Sequence, residues 1–526
     1  MKTLNILTTG AFATLLLLGS CTKDVDNPNS PGGGGEGGVV EGIPTYATVS
    51  LSQRTGAGTY ADAGDYVNGN SPASEAEKKI TDAVVLVFNS DDILENYVKF
   101  EDTELATAPY AKTFATTTGK KRLYALANLG DYSKIETIFN GQTAANKKLS
   151  NVCKVIQEIA TIEGAAAANK FWMSNVYKLG ATIEDQVNVL NVDKTTAAGG
   201  DGDDPATNNF KVYIGRMVSK VTPTFADNLV INSGDGTIEI KDEHDTAVAE
   251  YRVRNNPTRF YTFPVYEGVQ LVSPYYDKAY TPIDGTGAYP DALGAADFFD
   301  NGHDDGGNHT FVKIATDSYL TENSPKEAKR HKVTFLSIKA KWTPNANALL
   351  LDADGSIADD AAATLKKITD AADAVPAGNG GTFYRVQKWQ GGKIVGYCPG
   401  IYAETPTKWT DVGGTPGNGA GALDAAVADR NAAKASADAC YLIVKYDQGM
   451  AYWAYWMRSR LDGTIAEKYA LKRNNHYKVN IISVDGVGEP TEDDNLDKDE
   501  DLEADASMKA TIEVLNWNVV DIEGGI

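Results

Sequence analysis

Tyr46-Ala47-Thr48-Val49-Ser50-Leu51 puts apolar Ala47, Val49 and Leu51 on one parity and Tyr46, Thr48 and Ser50 on the other. This period-two alternation is that of a half-buried strand. Short strand-like runs of the same kind recur downstream, at Ala83–Phe88, Arg122–Ala127, Phe210–Ile214 and Met217–Val221. The second half repeats the style at Tyr251–Val253, Lys332–Lys341, Tyr441–Lys445 and His476–Val484. Helical spacing is confined to about Ala144–Ala160 and Asp360–Ala374. A chain of short strands with occasional helices reads as mainly β and sandwich-like, with helical insertions. At 526 residues it exceeds what one hydrophobic core supports. The simplest division ends a first domain near Pro223 and starts a second near Asn228.

Upstream of that strand, Met1-Lys2-Thr3 is followed by an apolar stretch through Leu15–Leu18 and then Gly19-Ser20-Cys21. Residues 1–20 read as a signal peptide, too short to span a membrane comfortably. Leu18-Gly19-Ser20-Cys21 resembles a bacterial lipobox, which makes Cys21 the expected lipidation site and first mature residue. Thr22 to about Gly42, with the Gly32–Gly35 run, reads as a tether. The net charge of -22 excludes nucleic acid and an anionic membrane surface as partners, since both recruit clustered Lys and Arg.

At the other end, Glu492–Ser507 carries nine acidic residues against Lys498 and reads as an extended, self-repelling linker. The apolar run Met508–Ile522 follows it, and a strand so detached is hard to assign to its own domain's core. Ala510, Ile512 and Val514 share one parity, whereas Leu515, Trp517 and Val519 share the other. A bulge near Leu515 or Asn516 would reconcile them.

Catalytic patterns are missing. The five histidines, His244, His303, His309, His331 and His476, have no zincin spacing, and no nucleophile elbow, P-loop or dinucleotide fingerprint is present. No enzyme activity and no cofactor are expected. Asp352, Asp354 and Asp359 around Gly355, and Asp300, Asp304, Asp305 and Asn308, lack the bidentate Glu of a calcium loop and read as solvated acidic turns. Cys153, Cys398 and Cys440 read as buried free thiols, with a Cys398–Cys440 bridge left open. Tyr452, Trp453, Tyr455 and Trp456 read as a hairpin interior. Tyr275, Tyr276, Tyr280, Tyr289, Phe298 and Phe299 lie in a long loop where a partner or sugar surface stays open.

Several strings, in this order, resemble the type V pilins, or fimbrillins, of Bacteroides-type bacteria, closest to the major subunit of the short (Mfa-type) fimbria. They are Lys121-Arg122-Leu123-Tyr124-Ala125-Leu126-Ala127-Asn128, Phe171-Trp172-Met173-Ser174 and Gly215-Arg216-Met217-Val218-Ser219-Lys220-Val221. Tyr452–Trp456, Lys472-Arg473-Asn474-Asn475-His476-Tyr477-Lys478-Val479 and Ile512-Glu513-Val514-Leu515-Asn516-Trp517-Asn518-Val519 complete the set. The resemblance implies two transthyretin-like β-sandwich domains, 55–223 and 228–490, a linker at 491–507 and a C-terminal donor strand at 508–526. It further implies an outer-membrane lipoprotein precursor whose segment 21–54 is removed after an arginine by an arginine-specific protease. Gln53-Arg54-Thr55 matches that position, with Thr55 the new N-terminus.

On this resemblance the chain is a stalk subunit that polymerises head-to-tail with copies of itself by donor-strand exchange. Ile512, Val514, Leu515, Trp517 and Val519 would fill the neighbour's groove, in a surface fimbrium that supports adhesion and biofilm formation. Fimbrial anchor and tip subunits, and host or bacterial surface ligands, would be its other partners. An anchor or tip subunit, or a carbohydrate-binding surface lipoprotein, are the alternative readings.

Overall fold

The computed structural model describes residues 41–53, 67–108, 110–141, 143–159, 162–175, 189–192, 208–232, 234, 236–241, 248–267, 270–276, 279–280, 292–293, 298–299, 311–327, 329–330, 332–373, 381–408, 426–460, 463–492, 502 and 508–518. The apolar runs become strands where the sequence places them. Ala83–Phe88 is buried at every position, as a continuous apolar run covered on both faces must be. Pro44–Gln53, Cys440–Tyr446 and Asn475–Asp485 bury alternate residues for most of their length. The fold is mainly β, with helices such as Ser133–Gly141 and Ala361–Asp373 inserted between strands.

The first sheet has eight strands. Its order is Leu94–Lys99, Ala83–Phe88, Gly119–Ala127, Met173–Asn175, Asn209–Arg216, Pro44–Gln53 and Tyr110–Thr117, with Val189–Val192 also on Gly119–Ala127. A five-stranded sheet orders Val67–Pro72, Met508–Asn518, Asn475–Asp485, Val218–Asn232 and Ser318–Thr321. Further sheets form around Phe335–Pro344 and around Phe383–Gln390. One buried cluster runs from Ala47 to Val218 and takes in Phe260 and Phe263; a second runs from Val221 to Met508. The second is lined from three sheets, by Tyr477 and Val479, by Ile338 and Trp342, and by Phe383 and Val444. Sheets enclosing a shared apolar layer are sandwich-like packing.

No linker separates the two cores. The expected break at Pro223–Asn228 falls inside the continuous strand Val218–Asn232, and the change of core occurs between Val218 and Val221. The strings that carried the family resemblance meet at this joint. Met217 donates its N–H to the Trp172 carbonyl at 2.7 Å, Arg216 to Asn474 Oδ1 at 2.9 Å, and Asn474 to the Val218 carbonyl at 3.0 Å. The Arg473 guanidinium pairs with both Glu322 oxygens at 2.9 and 3.1 Å and donates to Ser174 Oγ at 3.3 Å and the Thr262 carbonyl at 3.2 Å. Arg473 and Glu322 side chains are 3% and 1% exposed, and removing one partner of such a buried pair costs about 3–5 kcal/mol.

Several expectations are corrected. The helix expected over Ala144–Ala160 shortens to Leu149–Cys153, because Ile156–Glu158 becomes a strand paired with Arg259–Tyr261. Two described residues of the segment expected to be an extended, separate linker are held to the body. Glu492 is buried against Arg252 and Arg254, and Leu502 is fully buried with Val333, Phe335, Trp456 and Tyr469. Burial opposes ionisation of Glu492, but the Arg252 hydrogen bond and the Arg254 charge outweigh it and hold the carboxyl below its ordinary range.

Candidate functional site

The first strand, Pro44–Gln53, sits inside its sheet. It pairs antiparallel with Tyr110–Thr117, from Pro44 opposite Thr117 to Leu51 opposite Tyr110, and parallel with Asn209–Arg216, from Thr48 opposite Asn209 to Gln53 opposite Ile214. Ala47, Val49 and Leu51 point into the first core at 2%, 0% and 3% exposure, as the alternation requires. Burying Val49 and Leu51 stabilises the strand by about 3–6 kcal/mol. On the outer face Thr48 and Thr113 share a hydroxyl hydrogen bond of 2.8 Å, and Asn208 donates to the Tyr46 carbonyl at 3.1 Å. Without this strand, Tyr110–Thr117 and Asn209–Arg216 face each other as two unpaired edges over an open core.

The last strand, Met508–Asn518, belongs to its own chain's five-stranded sheet, which corrects the expectation that it stands apart from the body. It pairs antiparallel with Asn475–Asp485, from Asn475 opposite Asn516 to Val484 opposite Met508. On its other side it runs parallel to Val67–Pro72, an edge strand. Met508 is 1% exposed, and Ala510 and Ile512 pack on the second core, while Lys509, Thr511 and Glu513 face solvent. Leu515, of the other parity, is buried as well. No bulge in this strand is needed, because it buries opposite faces at its two ends. The register irregularities fall on its partners, between Ile481 and Ser483 and between Val67 and Asn70.

Of the residues singled out from sequence, Cys21, Arg54, Thr55 and Val519 lie outside the described residues. Val514 and Trp517 are placed by backbone register, opposite Tyr477 and Ser71. Ile512 and Leu515 are placed with their side chains. The sequence reading missed Val67–Pro72, because Val67-Asn68-Gly69-Asn70 shows no alternation. It also missed the use of His476. That ring is buried, with Nδ1 2.7 Å from Ser71 Oγ and Nε2 2.6 Å from Thr222 Oγ1. The Thr222 hydroxyl donates to Asp317 at 2.6 Å, so Nε2 carries the proton towards Thr222 and Nδ1 accepts from Ser71. Burial, with the Lys220 charge, pushes the imidazole pKa down to about 4 and keeps the ring neutral.

Several of the remaining candidates are packing or turn residues. Trp453, Tyr455 and Trp456 are buried, and Tyr275 is buried in its loop. Asp354 accepts from the Ser356 backbone N–H and hydroxyl, an ordinary turn. The acidic cluster at 300–308 and the loop residue Tyr289 lie outside the described residues, as do His244, His303, His309 and His331. Among the described residues no group of three His, Cys, Asp or Glu could hold a metal ion. Cys153, Cys398 and Cys440 are thiols rather than disulfides, the last two buried.

Residues 47–216 match the family described as major fimbrial subunit protein (FimA), and residues 444–523 match the C-terminal family of major fimbrial subunit protein type IV, fimbrillin. The chain belongs to the fimbrillins. The first match opens inside the first strand and closes at the joint between the cores, and the second spans the whole last strand. No curated protein is matched. Among solved structures, the fimbrilin FimA of Porphyromonas gingivalis W83 is 14% identical, with 90% of this chain and 98% of that chain covered and a TM-score of 0.42. The tip fimbrial protein Mfa3 of Porphyromonas gingivalis, truncated at its C-terminus, is 12% identical, with 90% and 100% covered and a TM-score of 0.31. The family assignment rests on the two sequence matches. Fimbrillins are structural subunits of cell-surface appendages, so this chain's role is structural, in a fimbrial polymer.

Proposed function

We propose that this fimbrillin is a stalk subunit, exported as a lipoprotein through Cys21 and cut after Arg54 by an arginine-specific protease. Loss of the first strand then opens the slot between Tyr110–Thr117 and Asn209–Arg216, and the last strand of a second copy fills it. The observation that carries the reading is the double flanking of the first strand. A segment bonded on both sides and buried on one face cannot leave without something taking its place, and strand addition restores main-chain hydrogen bonds and fills alternate pockets together.

The two strands are alike in sequence, which supports the exchange. Ala47-Thr48-Val49-Ser50-Leu51 and Ala510-Thr511-Ile512-Glu513-Val514 have apolar residues of similar size on one parity and Thr at the same outward step. They have 10 and 11 residues, so both extend roughly 33–37 Å. In that register Ile512 takes the place of Val49 and Thr511 meets Thr113, while Leu515, Trp517 and Val519 run on past Leu51. Slot and donor lie on different parts of the molecule, so the contact repeats head-to-tail as an open filament. Anchor and tip subunits would terminate the filament, and surface ligands of host or bacterial origin would be met along it or at its tip.

N-terminal sequencing of purified filaments tests this directly. Subunits should begin at Thr55 and lack Pro44–Gln53. Filaments whose subunits begin at Cys21 would overturn the stalk reading and make the chain an anchor.

A further inference from the structure

The two walls that flank the first strand are not held alike. Asn209–Arg216 has a second ladder partner, with Ile214, Gly215 and Arg216 opposite Asn175, Ser174 and Met173. Among the described residues, Tyr110–Thr117 pairs along its backbone with the first strand and with no other. Departure of the first strand takes this wall's whole ladder away. The first strand runs parallel to Asn209–Arg216 and antiparallel to Tyr110–Thr117, so the two walls are antiparallel to each other. Two unpaired antiparallel edges, separated by the width of one missing strand, would pair directly if free to move, closing the slot over the uncovered core and excluding any donor.

Side chains oppose that closure. Continuity through Thr118 into Gly119–Ala127 fixes where the wall ends but not its direction. Leu94–Lys99, the strand at the opposite end of the sheet's order, supplies the rest. Asn96 Nδ2 donates to the Ala115 carbonyl at 2.6 Å, as a ladder N–H would. Glu95 accepts from the Thr116 and Thr117 hydroxyls at 3.3 and 3.1 Å, and its other oxygen pairs with the buried Lys121, which donates to Thr117 Oγ1 at 2.7 Å. Nearer the wall's start, Lys112 pairs with Glu104 at 2.9 Å, and the Glu101 backbone N–H donates to the same Glu104 oxygen at 2.7 Å. None of these bonds uses the first strand. Closing the slot shifts the wall by about 4.8 Å, one strand spacing, which takes Ala115 and Lys112 out of reach of Asn96 and Glu104.

We propose that Glu95 with Lys121, Asn96 and Glu104 form a clasp that holds the emptied acceptor slot open for the incoming strand. The inference rests on the assembly proposed above. These are positioning residues. In the uncut chain the first strand's own ladder keeps Tyr110–Thr117 in place and the clasp is redundant; in the cut chain it sets the fraction of subunits that can accept a donor. A donor's association rate scales with that fraction, whereas dissociation does not, because the bound donor restores the ladder.

Strand uptake by the full-length protein, cut with an arginine-specific protease, tests it. The probe is a fluorescent synthetic peptide of Met508–Asn518 in excess, with association and dissociation followed by anisotropy. Asn96→Ala with Glu104→Ala, both at half-buried positions, should slow association about tenfold and leave dissociation within about twofold. Glu95→Ala with Lys121→Met, which removes the buried cation together with its partner, should do the same. Glu250→Ala with Lys339→Met removes an ion pair of similar exposure beside Phe335–Pro344 and should change neither rate. Association as fast in both clasp variants as in the wild type, or slowed equally by the control pair, would overturn the clasp and leave the assembly standing. Cut wild-type protein that has shed its first strand, yet neither takes up the peptide nor polymerises, would overturn the assembly and the clasp with it.

Discussion

The first and last strands are near-copies in pattern but not in setting. Ala47, Val49 and Leu51 are almost wholly enclosed, with strands bonded along both sides. Ala510 and Ile512, at matching positions, are half-buried, and the strand's outer partner is the short and irregular Val67–Pro72. How tightly a strand is held is therefore not a property of its own residues. It follows from how many neighbours flank it and how thick the core beneath it is. The same alternation that makes the first strand an integral part of its sheet makes the last one a credible substitute.

The comparison breaks most sharply at Val49. Val49→Asp buries an unpaired charge at a fully enclosed position and should cost the uncut protein more than about 4 kcal/mol in chemical denaturation. Ile512→Asp, at a half-buried position, should cost the monomer about half as much yet abolish filaments in electron micrographs. If both variants destabilise the monomer equally, the difference in setting is wrong.

Arg473→Ala is the control that strikes the joint rather than either strand. It should lower stability by about 3–5 kcal/mol, since Glu322 would be left charged and buried. Arg473→Met with Glu322→Leu should recover most of that loss, as read by the same denaturation midpoints.

His476 supplies a pH test confined to the last strand's sheet. Its folded value of about 4 lies below the ordinary 6.5, so the folded protein binds fewer protons than the unfolded one between these values. Its contribution is full above pH 6.5 and is lost as pH falls towards 4, by up to about 3 kcal/mol. His476→Gln should flatten that part of the stability profile. An unchanged slope would mean that other groups carry it.

The smallest expected effect is at the outward step. Thr48→Val removes one half-exposed hydroxyl contact with Thr113 and should cost at most about 1 kcal/mol in the uncut protein. Thr511→Val should leave the free monomer within about 0.5 kcal/mol, because Thr511 faces solvent there, while raising the subunit concentration needed for filaments.

The sequence by itself determined the strands. Ala83–Phe88, Tyr46–Leu51 and His476–Val484 were legible because side-chain alternation and continuous apolar runs are local properties, read within a few residues. It also determined the family, through strings whose order survives even where each is modest. Only the tertiary structure decided who pairs with whom. Ser71 meets His476 across 405 positions and Arg473 meets Ser174 across 299, and no local period encodes such partners. The same limit explains the misplaced readings. Pro223 looked like the simplest place to divide the chain, but Val218–Asn232 is one strand that pairs with Asn475–Asp485 on both sides of a register shift between Phe225 and Val230. Glu492 looked like the start of a solvated linker because acidic runs repel themselves, but Arg252 and Arg254, far earlier in the chain, neutralise it in a buried site. The last strand looked detached because its tether is charged, whereas backbone hydrogen bonding to Asn475–Asp485 and the apolar contacts of Met508 and Ile512 outweigh that repulsion.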